Sequence, residues 1–258
     1  MLAATGKIVS LGGKQDSGTC SPLSQTDIAS ASSLHDNSAP QIAQPSESPS
    51  RLRASHDSAI TISKGNLVGR VLNCPNELEK AQRLRHRVFV EKLKWIEGRD
   101  GLDLDDHDEG AVVFGVFEGH ILRGCVRVVL PHKPFMLERD FRGLLNGQPL
   151  WKRMDTVEVS RFVIDPDMTD ARQRRRTVLL LHYLIYTWVR RNGVRRLYFV
   201  SSHKLIAALR RSRGLPIETF GTPALTRDRV SYQAALVNMG AVQDWRHRLQ
   251  YWIQYLAA

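Results

Sequence analysis

From Thr177 to Gly193 the chain reads TVLLLHYLIYTWVRRNG, apolar on most faces of a helix and closed by an Asn-Gly pair suited to a helix C-terminus. A helix of that kind is stable only when most of its sides are covered, so it reads as a buried helix. Strand-like runs stand on both sides of it. VEVSRFVID, Val157 to Asp165, is rich in β-branched and aromatic residues and ends at an Asp-Pro turn signal, and VRRLYFVSS follows the helix.

The rest of the chain from Gly65 supplies the other layers. NELEKAQRLRHRVFVEKLKW places Leu78, Ala81, Leu84, Val88 and Phe89 at helical spacing behind Asn76, a candidate cap. AVVFGVFEGHILRGCVRVVLP reads as a hairpin turning at Glu-Gly-His, after which a Pro-punctuated loop leads to VEVSRFVID. ARQRRR reads as a basic connector. KLIAALRRSRG predicts a helix with Leu205, Ile206 and Leu209 inward, Arg210 and Arg211 outward, and Gly214 at its end. RVSYQAALV is a last extended segment and QDWRHRLQYWIQYLAA a terminal helix. The order helix, hairpin, strand, helix, strand, helix predicts an α/β protein, a mixed sheet covered on both faces. Residues 64–258 are expected to form this domain. Residues 1–63, rich in Ser, Gln and Pro, are expected to be a disordered extension.

Thirty-seven Lys and Arg against 26 Asp and Glu give a net charge of +11, which favours an acidic partner. Nucleic acid is one such partner, yet no nucleic-acid reading motif is present, and that account leaves the acidic residues below unexplained. No segment approaches the apolar length of a membrane span. Cys20, Cys74 and Cys125 match neither a zinc nor a C-x-x-C pattern and read as free thiols; with no apolar leader at the N-terminus, a cytoplasmic location is expected.

VEVSRFVID carries Glu158, Ser160 and Arg161 where a buried strand should be apolar, a costly choice unless each finds a partner. Glu158 and Arg161 are an odd number apart, so a regular strand sends them to opposite faces; a β-bulge between them aims both into one cleft. The other unusual residues are Arg85, Phe89, Trp95, Asp103, Asp105 and Asp108 in the acidic loop GRDGLDLDDHDEG, then Arg127 and Phe141. Each has an ordinary explanation alone: core aromatics, a solvated acidic loop, a snorkelling arginine. Asp105, His107 and Asp108 make an oxygen-rich group, but their spacing fits no EF-hand, and no metal site is predicted. Ser160 lacks the G-x-S-x-G surroundings of a nucleophile.

As a set these residues resemble the acyl-homoserine-lactone synthases, the LuxI-type autoinducer synthases. The likeness runs from about Arg70 to Gly240 and rests on R-x-x-x-F followed by W, the acidic triplet, RVVLP, PFML before Phe141, and E-x-S-R-F. It implies a GNAT-like three-layer α/β/α sandwich with a mixed, mostly antiparallel sheet. It also implies an acyltransferase that joins an acyl thioester to S-adenosylmethionine and then closes an N-acyl-homoserine lactone, releasing methylthioadenosine. S-adenosylmethionine is then a substrate, and no permanently bound cofactor is implied.

By the same resemblance Glu158, Asp103 and Arg161 are catalytic, with Glu158 as general base, Arg161 holding Asp103 or Asp105, and Arg85 fixing the acidic loop or the substrate carboxylate. Asp105 and Asp108 favour the cationic substrate, Phe89 and Trp95 offer it flat faces, and Arg127, Phe141 and Ser160 complete the binding set. Ser201 and Ser202 lie where the family discriminates substituents at the third acyl carbon. The family usually has Glu where Asp103 stands, and the loop register leaves Asp100 as the alternative. The connector DARQRRRTV has no glycine to cradle a pyrophosphate, which favours acyl-carrier protein over acyl-coenzyme A as donor, docked on Arg172, Arg174, Arg175 and Arg176 with help from Arg190, Arg195 or Arg210. The alternatives are an N-acyl amino acid synthase of the same fold and, more remotely, a basic nucleic-acid-binding protein.

Overall fold

The computed structural model describes residues 60–213, 215–225 and 230–241; most of the predicted N-terminal extension, Cys20, Gly214 and the predicted terminal helix lie outside them. The elements in chain order are β1 (Thr61–Lys64), β2 (Leu67–Leu72), α1 (Pro75–His86), a π-helical turn Arg87–Lys92, β3 (Val112–Glu118) and β4 (Ile121–Val129). Two 3-10 turns, Met136–Glu138 and Arg142–Leu145, precede β5 (Thr156–Ile164), α2 (Ala171–Arg191), β6 (Arg196–Ser202), α3 (His203–Arg213), β7 (Ile217–Leu225) and β8 (Ser231–Asn238). They form one eight-stranded sheet of order β1-β2-β3-β4-β5-β6-β8-β7. Among the described residues only β5 and β6 pair in parallel, so the sheet is mixed and mostly antiparallel.

Alternation along the central strands assigns the two faces. Val112, Phe114, Val116, Val126, Val128 and Val157 meet Leu180, Leu181, Leu184 and Trp188 of α2 and Ile206 of α3 in one core. On the opposite face Val113, Phe117, Leu122, Cys125 and Val163 meet Ala81 and Leu84 of α1. Further along that second face, Val129, Tyr198 and Ala234 are covered by Phe135, Leu137, Leu144 and Leu145 from the 3-10 segment. The fold is therefore the expected α/β/α sandwich, GNAT-like in layering.

Several local expectations are corrected. Ile60 is buried and Thr61–Lys64 is a strand, so a boundary after residue 63 falls inside the sheet. The N-cap position of α1 is Cys74, which makes no side-chain cap, with Pro75 in the first turn, where the missing N–H costs nothing, and Asn76 lies inside the helix. ARQRRR is no connector: Asp170 accepts from the Arg172 N–H at 2.8 Å, and the arginines form the first turns of α2. Leu205 is half exposed rather than inward, while Arg210 turns back to donate from Nε and Nη2 to the Ile217 carbonyl. β7, for which the sequence sets no expectation, is an edge strand that accommodates Pro223 where its pairing with β8 is irregular, between Phe220 and Ala224.

The parallel pairing of β5 with β6 covers only Thr156–Glu158 against Arg196–Tyr198. Beyond it β5 follows β4 as far as Ile164, and β6 follows β8 as far as Ser202. The two strands part immediately after Glu158 and Tyr198, opening a wedge in mid-sheet.

Candidate active site

The wedge and the bulge lie together. On β4 the register advances from Cys125 to Arg127 while on β5 it runs from Val163 to Ser160, leaving β5 one residue longer, and Arg161 there has a φ of +53°. That is the bulge the spacing requires. Glu158, Ser160, Arg161 and Val163 all face the α1 side, whereas Val157, Val159, Phe162 and Ile164 join the core under α2.

Around this bulge three guanidinium groups and three carboxylates cancel charge for charge. Arg85 of α1 donates from Nε to Asp103 at 2.9 Å and from Nη1 and Nη2 to both oxygens of Asp108 at 2.7 and 2.8 Å. Arg161 donates from Nε to Asp103 and from Nη2 to Asp105, each at 2.8 Å. Arg127 reaches Asp105 and Asp108 from Nη1 and the Ser160 hydroxyl from Nε at 3.0 Å. Arg85, Asp103 and Arg127 are almost fully buried, which makes the pairing obligatory, since an ion left without its partner there costs several kcal/mol. Burial opposes ionisation of Asp103 and Asp108, but their arginines outweigh it and hold both carboxyls below the usual range. The same carboxylates raise Arg85 against its own burial.

These bonds settle the place of each predicted residue. Asp103, not Asp100, is in the lattice; Asp100 sits in an exposed turn with φ of +51°. Asp105 and Asp108 are occupied by arginines, and His107 by Asp140, so Asp105, His107 and Asp108 do not form a ligand shell; among the described residues no group of three such side chains is arranged for a metal. Ser160 serves Arg127. Ser202 accepts from the Leu205 N–H and caps α3, while Ser201 is buried on the opposite face of the sheet. Phe141 stands partly exposed on the 3-10 segment, its N–H bonded to the Met136 carbonyl. The Arg161 guanidinium lies over Phe89 at 5.3 Å, Phe89 is 5.9 Å from Trp95, and Trp95 meets Tyr232 of β8 edge-on at 5.2 Å, an aromatic border to the site. Phe89 belongs to the π-helical turn, a distortion common at functional positions. Arg172, Arg174, Arg175 and Arg176 stand exposed at the start of α2, apart from the lattice.

Glu158 is not part of the lattice. Its two oxygens accept from the backbone N–H groups of Met136 and Leu137 at 2.5 and 3.0 Å, and Met136 Sδ in turn lies 3.2 Å from Arg127 Nη2. Burial pushes this carboxyl up to about 7 in spite of those two amides. His107, unremarked as a positioning group in the sequence, is 5% exposed and bridges Pro134 and Asp140 through Nδ1 and Nε2 at 3.0 and 2.9 Å. Its hydrogen bond to Asp140 raises it, more than burial lowers it. A cavity of about 290 Å³ lies behind the lattice, lined by Arg85, Asp108, Gln82 and Leu78 among others.

The model of the autoinducer synthase family matches residues 70–244, a span that contains every lattice residue, Glu158 and both border aromatics. The chain belongs to that family. An acyl-homoserine-lactone synthase of Rhizobium radiobacter is 31% identical over 152 residues, 57% of this chain and 71% of the relative. One from Aeromonas salmonicida is 31% identical over 145 residues, covering 54% and 69%. Among solved structures, the coenzyme-A-dependent acyl-homoserine lactone synthase BjaI, with S-adenosylmethionine and isopentyl-coenzyme A, shares the fold at a TM-score of 0.59 and 23% identity, over 68% of this chain and 82% of its own. The acyl-homoserine lactone synthase LasI does so at a TM-score of 0.59 and 20% identity, over 69% and 91%.

Proposed function

We propose that this chain transfers an acyl group from a thioester to the α-amine of S-adenosylmethionine and then closes the homoserine lactone. The observation that carries the reading is the bulge at Arg161, which gathers Glu158 and the arginine–aspartate lattice on one face at the mouth of the wedge. An α-amine of pKa about 8 must lose a proton before it attacks. In this reading Glu158, held near 7, takes it directly or through one water, since a base poised near the working pH balances proton affinity against availability. Amide formation breaks the thioester C–S bond and the thiol leaves with a proton. The methionine carboxylate then displaces methylthioadenosine from the γ-carbon, so that an anion and a sulfonium become a neutral ester and a neutral thioether.

In this reading Asp103, Asp105 and Asp108 act chiefly by fixing Arg85, Arg127 and Arg161, and the lattice shapes the cleft rather than offering free carboxylates to the sulfonium. Phe89 and Trp95 supply flat faces to a cation or an adenine. We take acyl-carrier protein as the preferred donor. Four arginines at the start of α2 oppose the positive end of the helix dipole, a placement that an acidic docking partner relieves. We place the chain in the cytoplasm, in keeping with the free thiols of Cys74 and Cys125.

Purified protein, S-adenosylmethionine and a series of acyl-carrier-protein and acyl-coenzyme A donors, followed by mass spectrometry, test this. N-acyl-homoserine lactone and methylthioadenosine in equal amounts are expected. Amide without methylthioadenosine, or acylation of a free amino acid instead, would assign an N-acyl amino acid synthase.

A further inference from the structure

Glu158 is held by a backbone turn, and the turn is itself held. The amides of Met136 and Leu137, which reach the two Glu158 oxygens, are aimed by the main chain alone, so the carboxylate is only as well oriented as the segment that carries them. Phe135, just before them, is fully buried, and its N–H donates to Glu138 Oε2 at 2.7 Å, closing the turn on itself. The same oxygen accepts from Lys152 Nζ at 2.6 Å. Nζ also donates to the Lys133 carbonyl at 2.6 Å and lies 4.2 Å from the centre of the Phe135 ring.

One ammonium therefore ties residue 133 to residue 138, the two ends of the segment whose middle presents both amides. An exposed lysine gains little from an ion pair and gives its donors to water. Here the side chains of Lys152 and Glu138 are partly buried, and two of the three ammonium donors go to fixed protein oxygens. Neither residue bonds to Glu158 or to the arginine–aspartate lattice among the described residues, so both act on Glu158 through the main chain.

We propose that Lys152 and Glu138 are positioning residues for the acyl transfer, fixing the turn whose two amides orient the Glu158 carboxylate, a role that rests on Glu158 being the base of the proposed activity. The two amides favour the ionised carboxyl against its burial, so loosening the turn raises Glu158 further. The charged groups that face Glu158 from neighbouring elements, Arg127 of β4 and His107 of the acidic loop, also favour ionisation. Tyr198, its ladder partner on β6, is raised by burial and keeps its proton at neutral pH. Those three groups are untouched when Lys152 or Glu138 is replaced. A direct field makes opposite demands on the pair: losing the Lys152 cation raises Glu158, and losing the Glu138 anion lowers it. Positioning makes the same demand of both, because either loss frees the turn.

The test titrates the full chain, labelled with 13C at glutamate Cδ, by NMR, with the Glu158 resonance assigned by its absence in Glu158→Gln. The acidic limb of kcat/KM for lactone formation is measured beside it. Lys152→Met and Glu138→Ala are each expected to raise the Glu158 midpoint by about 0.5 pH or more, a threefold change in proton affinity, and to carry the limb with it. The double variant should shift no further than the larger single one, and Lys152→Arg, which keeps the charge and the donors, should keep the wild-type midpoint. Shifts of opposite sign in the two single variants overturn the proposal, as does a midpoint unmoved in both, even where activity falls equally at every pH. A raised midpoint with a limb that stays in place keeps the positioning of Glu158 and overturns its assignment as the base instead.

Discussion

Arg127 on β4 donates from Nε to the hydroxyl of Ser160 on β5 at 3.0 Å, and the next residue along β5 is the bulged Arg161. Without the extra residue, position 161 points into the apolar core beneath α2. With it, two successive side chains face the same cleft, and the second is held by Asp103 and Asp105. The lattice and the bulge therefore stabilise each other: the positive φ is tolerated because the guanidinium it aims is fully paired.

Replacing Arg161 separates these two effects. Arg161→Ala removes one partner from two carboxylates in a largely buried network and is expected to cost about 3 kcal/mol, at the low end for such losses because Arg85 and Arg127 remain. Arg161→Gly loses the same charge but suits the left-handed backbone, and is expected to be more stable than the alanine variant by about 1 kcal/mol. Urea unfolding checks the order. An alanine variant as stable as the glycine one removes the backbone argument.

Glu158 gives a pH dependence of opposite sign to an ordinary carboxylate. Its folded value, about 7, lies above the usual 4.5, so the folded state binds the proton more readily, and this residue's contribution declines as pH rises from about 4.5 to 7. Activity should run the other way, with kcat/KM rising with pH through a limb near 7 as the base ionises. Glu158→Gln is expected to lower kcat by about 10²-fold or more and to flatten the stability profile in that window. A variant with an unchanged acidic limb would assign the base elsewhere.

The legible parts of the sequence were those where one physical signal acted alone. Periodicity places α1 and α2, the Gly119-His120 turn places the β3–β4 hairpin, and the odd separation of Glu158 and Arg161 requires the bulge. Where signals compete the reading fails. β1 is only four residues long and falls mostly within the Ser-rich extension, and β2, inside the expected domain, is too short for its alternation to stand out. β7 contains Gly221 and Pro223, loop residues that an edge strand tolerates; Gly221 has φ of +67°, and a Cβ there would strike the Leu144 carbonyl. In the site, residue types announced charge, but which carboxylate meets which guanidinium is a tertiary fact. The amides of Met136 and Leu137 that hold Glu158 are backbone groups, on which sequence is silent.

Asp103 and Asp108 predict the acid limb of stability. Both folded values lie below the unfolded one, so their contribution is complete above about pH 4 and is lost as pH falls through the folded values. The wild type should therefore unfold steeply on acidification below pH 4. Asp108→Asn, which leaves Arg85 and Arg127 short of a charge, should be less stable at neutral pH and show a shallower acid slope by circular dichroism.

His107 holds the acidic loop to the 3-10 segment, and its charge is set by the groups around it: Asp140 directly, with Asp105 adding attraction and Pro134 accepting the other N–H. Because its folded value is raised, its contribution is full below about pH 6.5 and is lost as pH rises through the folded value. Asp140 is half exposed, so the coupling should be modest, about 0.5–1 kcal/mol. A double-mutant cycle of His107→Phe and Asp140→Asn in urea should show that coupling at pH 6 and lose it at pH 9. Equal coupling at both values would mean that the imidazole acts as a neutral hydrogen-bond donor.

The arginines that begin α2 give the last prediction, in which stability and activity move apart. Arg172 stands exposed in the first turn, at the positive end of the helix dipole, where an acidic side chain is favoured. Arg172→Glu is therefore expected to stabilise the fold by about 0.5 kcal/mol. If this turn receives an acidic carrier protein, the same change should lower kcat/KM for the carrier-bound donor several-fold, with the loss greatest at low ionic strength, and leave an acyl-pantetheine donor nearly unaffected. A variant that is more stable and equally active with the carrier at every salt concentration would remove this helix end from the docking surface.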